Sequence, residues 1–412
     1  MTRTSSGPIP ERTTRAVATV MGALCCAAFA ATLGSLAISP LLPAMAADLG
    51  TSVSLLGQVP ALTLVLAAVL GLVIGPLADH FGHRRVLLLG TLAIVGVGLT
   101  TALADGFPVL VVAAVFGAIS RAVAMPVSYA IAGARFSPAL ARRAVGRIIA
   151  TAAASLIIGV PLVSAIAGYA GWRIAFVFIA VLALAAILAI LRLLPADPRS
   201  RTDRFDLSGV LHAYGPLLRN RGMLGIYSGS LIRAVGLWIA MTYMGAFLVQ
   251  KHGLVSAEVG IAFAGLGVGE LIGSLIAGER LGRVPLRPLM AGAQILIGLL
   301  LGAFLLLPFS AVAASIVFML AMVVNGVADV AEPSLLAAET PTGHATTMTF
   351  EGTTMSAGSG IGSSLGGILL ALGGYPAMGV AVIVCCFVAA LLVWQIRPRE
   401  AAEPDALPTL AS

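Results

Sequence analysis

Charged side chains are scarce in this chain. Asp, Glu, Lys and Arg together make up 10% of its 412 residues, and lysine occurs once, as Lys251. Soluble domains carry roughly 25% charged residues, so a water-solvated surface over the whole chain is excluded. Cysteine is nearly absent: the four present form two vicinal pairs, Cys25-Cys26 and Cys385-Cys386, both within apolar runs. That spacing fits neither a disulfide framework nor a metal-ligand set. The five histidines, at 80, 83, 212, 252 and 344, have no nucleophile or ligand set beside them in the sequence. Neither a catalytic constellation nor a metal site is therefore expected. No cofactor is indicated either. The stretch Gly265 to Glu270 superficially matches a nucleotide-binding glycine loop, but it lies inside an apolar run with no strand before it.

In place of charge the chain has long apolar runs, with 59% hydrophobic residues and a mean hydropathy of +1.05. A bilayer core about 30 Å thick needs about 20 apolar residues per helix. Runs of that order lie near 17-42, 55-77, 85-104, 108-132, 146-168, 173-194, 223-248, 257-278, 288-307, 311-336, 350-372 and 377-396. They are continuously apolar, which predicts helices; barrel strands would alternate polar and apolar residues in segments of about ten. The expected fold class is all-α integral membrane, with twelve transmembrane helices in two six-helix bundles.

Basic residues orient such a chain, because Lys and Arg are retained on the cytoplasmic side. With the amino terminus inside, 20 of the 24 basic residues fall in cytoplasmic segments, leaving Arg121, Arg173, Arg233 and Lys251. The net charge of +7 is then a topology signal. Its dispersal over loops excludes a nucleic-acid surface. The expected organisation is a cytoplasmic tail (1-16), a first bundle (17-194), a basic cytoplasmic linker (195-222), a second bundle (223-396) and a cytoplasmic tail (397-412). The first apolar run is too long for the core of a cleaved leader and reads as the first span. Arginine use with abundant Ala and Gly points to a GC-rich bacterial genome, hence a multi-pass protein of a bacterial inner membrane with both termini cytoplasmic.

The segment after the second run, Gly75-Pro-Leu-Ala-Asp79-His-Phe-Gly82-His-Arg84-Arg85, aligns without a gap with Leu275-Ile-Ala-Gly-Glu279-Arg-Leu-Gly282-Arg283 after the eighth, at a constant offset of 200 residues. Duplication explains the register, and repeated halves are a mark of transporters that rock about a midplane site. The first copy resembles the signature of the major facilitator superfamily, as do the twelve runs and the basic central loop. The resemblance implies that this cluster latches the cytoplasmic gate. Here Gly75 is expected to allow close helix approach, Gly82 to turn the chain, and Asp79 to hold Arg84, Arg85 or a helix end. Two further segments are similar to the drug/proton antiporter branch of twelve-span exporters of drugs, sugars or purines: Leu33-Gly34 with Pro40-Leu-Leu-Pro43, and Gly159-Val-Pro161 followed by Gly171-Trp172-Arg173. Pro161 also reads as a simple packing kink.

Five charges interrupt the apolar runs: Arg121, Arg233, Glu270, Asp329 and Glu332. At a cost of about 2.5–3.5 kcal/mol each at the bilayer centre, they must face a cavity or one another. Asn325, Asp329 and Glu332 recur at spacings of four and three, which places them on one helical face. In the family resembled, spans 1, 4, 7 and 10 line the cavity, and Arg121 stands where a span-4 arginine is linked to proton transfer. A buried arginine pinned by a carboxylate or by carbonyls is the plainer reading of it. Two arginines against three carboxylates leave one excess negative charge, which a bound proton would cancel. Asp329 or Glu332, or alternatively Glu270, is the expected coupling carboxylate. Glu339 and Glu351 flank a loop without basic residues and read as solvated helix ends or gate residues. Tyr227, Trp238 and Tyr243 offer aromatic substrate contacts or simple packing.

The reading is a non-enzymatic secondary transporter that exports a drug-like compound or small metabolite, coupled to protons, and works as a monomer among membrane lipids. Uptake or uncoupled diffusion on the same fold is the alternative. A receptor would need a soluble sensor domain, and the linker is too short and too basic for one.

Overall fold

The computed structural model describes residues 11–195, 214–280, 284–339 and 344–395. Among these residues, eleven helices are long and apolar enough to cross a membrane. The last, His344–Trp394, leaves helical geometry at Gly374, where φ is 65°, and so comprises two spans, which brings the total to twelve. Span 1 is Glu11–Leu36, prolonged by Ile38–Asp48. Spans 2 to 4 are Gln58–Phe81, His83–Ala102 and Phe107–Arg135. Span 5 joins Pro138–Ala154 to Val160–Ala170 through a π-helical turn, Ser155–Gly159, and span 6 is Trp172–Leu193. A short helix, Gly215–Arg219, leads into span 7, Arg221–His252, followed by spans 8 (Ser256–Arg280), 9 (Leu286–Leu306) and 10 (Ala311–Glu339).

Helices are the local answer because the bilayer offers backbone amides no other partner. Their ends are specified chemically. Asn220 accepts from the backbone N–H of Gly222 at 2.9 Å and of Met223 at 3.3 Å, capping span 7. Between spans 2 and 3 the chain reverses at Gly82, whose φ of 94° suits glycine alone.

Lipid supplies no hydrophobic force between helices, so their association rests on close packing through small residues. Of the recurring Gly265, Gly269 and Gly273, the last two serve this purpose; a Cβ on Gly269 would lie 2.5 Å from the Met319 carbonyl oxygen. A Cβ on Gly273 would lie 1.9 Å from the Val323 carbonyl oxygen, and one on Gly326 would lie 2.3 Å from that of Glu270. Spans 8 and 10 thus touch backbone to backbone. Span 11 lies on span 7 in the same way, with Gly358 and Gly362 against the carbonyls of Leu231 and Val235. Gly75 departs from expectation: a Cβ there would meet nothing within 4 Å, so no helix crowds it in this conformation.

Among the described residues, the halves meet chiefly between spans 1 and 7, 2 and 11, and 5 and 8. Toward the face where spans 1 and 7 end (the distal face), the Ser39 hydroxyl donates to the carbonyl of Thr242 at 2.7 Å, sharing its proton with that of Met241 at 3.0 Å. Gln58 and Ser364 exchange hydrogen bonds of 3.2 and 2.7 Å between spans 2 and 11. Spans 5 and 8 close beside Pro161, where a Cβ on Gly260 would lie 2.9 Å from the Pro161 Cα. Gly159 meanwhile admits Leu33 and Phe29 of span 1, which approach its would-be Cβ to 3.0 and 3.2 Å. The Gly159-Val-Pro161 element therefore sits at a junction of spans 1, 5 and 8, next to the π-turn.

Gly171-Trp172-Arg173 clamps the distal end of the first half. Arg173 pairs with Asp48 and donates to the Ala104 carbonyl at 3.1 Å, while the Trp172 indole N–H reaches Asp48 at 3.2 Å. The Arg173 guanidinium holds the Asp48 carboxyl below the usual carboxylate range. The clamp therefore supports the fold above that range and fades as the pH falls through it.

Replacing Gly273 by alanine should force spans 8 and 10 apart and cost about 1–3 kcal/mol, read as a lowered thermal midpoint in detergent. Gly292→Ala, where a Cβ meets nothing within 4 Å, should leave the midpoint unchanged or slightly raised.

Candidate functional site

The packing of spans 8 and 10 delivers three of the intramembrane charges to one place. On span 10 the four-three spacing of Asn325, Asp329 and Glu332 presents all three side chains to span 7, and there Arg233 meets them. Its Nη1 donates to Asn325 Oδ1 at 2.7 Å and to Asp329 Oδ1 at 2.9 Å, and its Nη2 to Glu332 Oε2 at 2.6 Å. Asn325 then turns its amide Nδ2 toward Glu270, 3.2 Å from Oε2, and toward Asp329 Oδ2 at 3.0 Å. The carboxyl groups of Glu270 and Asp329 also approach each other. One asparagine thus bridges arginine and two carboxylates across three helices.

Exposure separates the members. Arg233 and Glu332 are each 1% exposed, whereas the Asp329 side chain retains 37%. Glu332 is buried together with Arg233, whereas Asp329, Glu270 and Glu351 each keep part of their surface accessible. Satisfaction is incomplete: Arg233 Nε and Glu332 Oε1 have no partner among the described residues. Breaking one side of a buried pair is correspondingly expensive, about 3–5 kcal/mol, because the survivor stays charged and dry.

Glu351, which the sequence leaves as a solvated helix end or a gate residue, comes within reach of the cluster. It lies near the start of span 11, half-buried, within electrostatic reach of Glu332, Asp329 and Arg233. Its position beside a polar loop is what made it look solvated. Only the fold of span 11 against spans 7 and 10 carries it inward, and the sequence holds no separate signal of that.

Arg121 does not join the cluster. Its guanidinium lies 5.9 Å from the Trp238 ring centroid, and among the described residues no carboxylate pairs with it. The expected sum of two arginines against three carboxylates is thereby corrected to one arginine facing four carboxylates. Arg121 and Trp238 instead line a narrow cavity of ≈ 40 Å³ between span 7 and the first half, with Gly34, Ser35, Thr63 and Gly117.

The other aromatic candidates lie elsewhere. Tyr227 donates to the Thr347 carbonyl at 3.2 Å and packs against Phe350, with ring centroids 4.8 Å apart. Tyr243 donates to the Ser363 carbonyl at 3.0 Å and fills the space beside Gly57, where a Cβ would lie 1.9 Å from its hydroxyl oxygen. It belongs to the seal between the halves.

In the signature segment, Asp79 pairs with His83 at 3.2 Å and Arg84 donates to the Leu191 carbonyl at 2.8 Å. These contacts stay within the first half, so the expected Asp79 hold on Arg84 is not formed here. Arg85 and Glu279 are exposed. Gly282 and Arg283 lie outside the described residues, as do the two tails and most of the linker.

A sequence model of the Major Facilitator Superfamily matches residues 24–348 and, in a second overlapping match, 226–410. The chain belongs to the Major Facilitator Superfamily. It is accordingly a multi-pass membrane transporter, and the duplicated match agrees with the 200-residue register of the two halves. Superfamily relatives include a chloramphenicol efflux pump of Mycobacterium tuberculosis (strain CDC 1551 / Oshkosh), 27% identical over 278 residues, which are 67% of this chain and 66% of that protein. A chloramphenicol resistance protein of Streptomyces lividans is 27% identical over 269 residues, covering 63% of this chain and 66% of that protein. The aligned part thus spans about two thirds of the curated relatives' length. Among solved superfamily-like folds, a bacterial homologue of the human lysosomal transporter Spinster, in an inward-facing and occupied conformation, superposes with a TM-score of 0.74 at 17% identity. That match covers 94% of this chain and 97% of that one.

Two substitutions test this geometry. Arg233→Leu should destabilise the transporter by about 3–5 kcal/mol, and adding Glu332→Leu should restore at least half of the lost thermal midpoint. Gly57→Ala should unseat Tyr243 and favour opening of the distal face, seen as faster labelling of a cysteine placed at Ser39.

Proposed function

We propose that this chain is a proton-coupled exporter of a drug-like compound or small metabolite, acting by alternating access in a bacterial inner membrane with both termini cytoplasmic. The observation that carries the reading is the network of Arg233, Asn325, Asp329, Glu332 and Glu270. A membrane interior does not tolerate several adjacent carboxylates with a single counter-charge, and a proton is the smallest species that relieves the excess. Two approaching carboxyl groups share a proton readily, because like charges at short range cannot both ionise.

The exposure pattern supports Glu270 and Asp329 as the shared proton site, with Glu332 holding Arg233 in place throughout. When that site is protonated, Arg233 is drawn mainly by Glu332. When the proton leaves, Asp329 competes for the guanidinium. The alternation shifts span 7 against spans 8 and 10, and span 7 also forms the seal with span 1. Proton occupancy and access are thereby linked through one helix. Basic residues on the face where spans 1 and 7 begin support placing that face in the cytoplasm, which makes the distal face external. The efflux activity named for the two chloramphenicol relatives supports the outward direction. A single chain contains both halves, which supports a monomer as the working unit.

Expression in an efflux-deficient bacterium should raise the chloramphenicol concentration that stops growth, and a broad compound panel extends the search. In inverted vesicles, Glu270→Gln and Asp329→Asn should each lower pH-gradient-driven transport about tenfold or more, equivalent to about 1.4 kcal/mol of coupling, while exchange without a gradient persists. Gradient-driven transport that survives intact in these two variants and in Glu332→Gln would sink the proposal and favour an uncoupled facilitator.

A further inference from the structure

We propose that the cavity at Arg121 is a recognition subsite for a planar oxyanion, such as a carboxylate, on a flat apolar substrate body, with Trp238 standing over it until that group arrives. The inference rests on the transport reading above and names the substrate class it would serve.

Arg121 lies midway along span 4, whose limits are Phe107–Arg135, and so at the depth where a bare charge is least tolerated. Arg233, at a similar depth in the other half, is held by Asp329, Glu332 and Asn325. Arg121 has no such set. Its Nε is buried without a hydrogen-bond partner among the described residues, and the Trp238 ring centroid lies 5.9 Å from its guanidinium. A cation–π contact of that length relieves part of the penalty and supplies no hydrogen-bond acceptor.

The cavity wall is built to leave this cation available. No carboxylate lines it. Ser35 and Thr63 each give their hydroxyl proton to a carbonyl of their own helix, Ala31 and Val59, at 3.0 Å. The guanidinium is therefore the strongest donor on the wall, and its planar fork matches a planar oxyanion with two parallel hydrogen bonds. A space of ≈ 40 Å³ holds a few waters or one carboxylate group, and not a whole substrate. The body of the molecule would lie outward, where the Trp238 indole offers an apolar face for stacking.

Charge placement across the cleft points the same way. The Glu270, Asp329, Glu332 and Glu351 group repels an anion from the second half, and Arg121 attracts it to the first. Trp238 and Arg233 are five residues apart on span 7. Displacing the indole therefore acts on the helix that also carries the cluster's arginine.

The test uses the full-length protein in detergent and three probes of one shape: naphthoate, naphthamide and naphthylmethylammonium, with affinities read by calorimetry and by Trp238 fluorescence. Naphthoate should bind about ten- to a hundredfold tighter than the amide, and the ammonium should bind most weakly. Arg121→Gln should erase the preference. Arg121→Lys, which retains the charge and loses the fork, should weaken naphthoate about tenfold and keep the order. If Arg121→Gln does not fold, the order in the native protein and in Arg121→Lys decides the matter. Equal binding of the three probes, tighter binding of the ammonium, no binding of naphthoate, or a preference that survives Arg121→Gln would each overturn the inference. None of these measurements needs a pH gradient. A charge preference without gradient-driven transport would refute the exporter reading alone, and gradient-driven transport without the preference would refute this subsite alone.

Discussion

Arg233 carries a full charge in a medium that hydrates nothing, and much of the second half of the molecule is arranged around that fact. Its two terminal nitrogens are divided among three acceptors on one face of span 10. Those acceptors can converge because span 10 approaches spans 7 and 8 along a small-residue seam. The ion cluster and the glycine packing are therefore one constraint. Without backbone contact at Gly273 and Gly326, Glu270 would stand too far away for Asn325 to bridge it to Asp329. Without the cluster, Arg233, Glu270, Asp329 and Glu332 would face hydrocarbon unpaired.

The halves share an ancestry in their repeated loops and differ in their interiors. The first half is held at its distal end by the exposed pair Asp48 and Arg173 over a buried Trp172, and midway along span 4 it carries Arg121. The second half concentrates its carboxylates around one arginine. Such an asymmetry puts charge compensation around one arginine on one wall and a cation facing a cavity on the other. Span 7 belongs to both, since Arg233, Trp238 and Tyr243 place the cluster, the cavity and the distal seal on one continuous helix. A displacement of that helix is felt at all three.

Much of this was legible from the chain alone. The twelve spans followed from run length, and even the joined last pair was separable, because Gly373-Gly374-Tyr375-Pro376 interrupts the run. The stripe of Asn325, Asp329 and Glu332 followed from helical periodicity. Expectations that depended on a partner fared less evenly. The sequence leaves Glu351 between a solvated helix end and a gate residue, Tyr243 between substrate contact and packing, and Arg121 between a cavity and a carboxylate partner; the fold sets each beside particular neighbours. A side chain's neighbours across a helix interface have no fixed sequence offset, and nothing local records them.

The sequence by itself thus determined that the chain spans the membrane twelve times, that its halves repeat at 200 residues, and which charges must be hidden. Those properties depend on composition and on periods of one helix, which the solvent reads directly. Only the tertiary structure decided which charges meet. Arg233 lies 96 residues from Asp329 and 99 from Glu332, and the choice of partner between Arg121 and Arg233 turns on how closely spans 7, 8 and 10 approach one another.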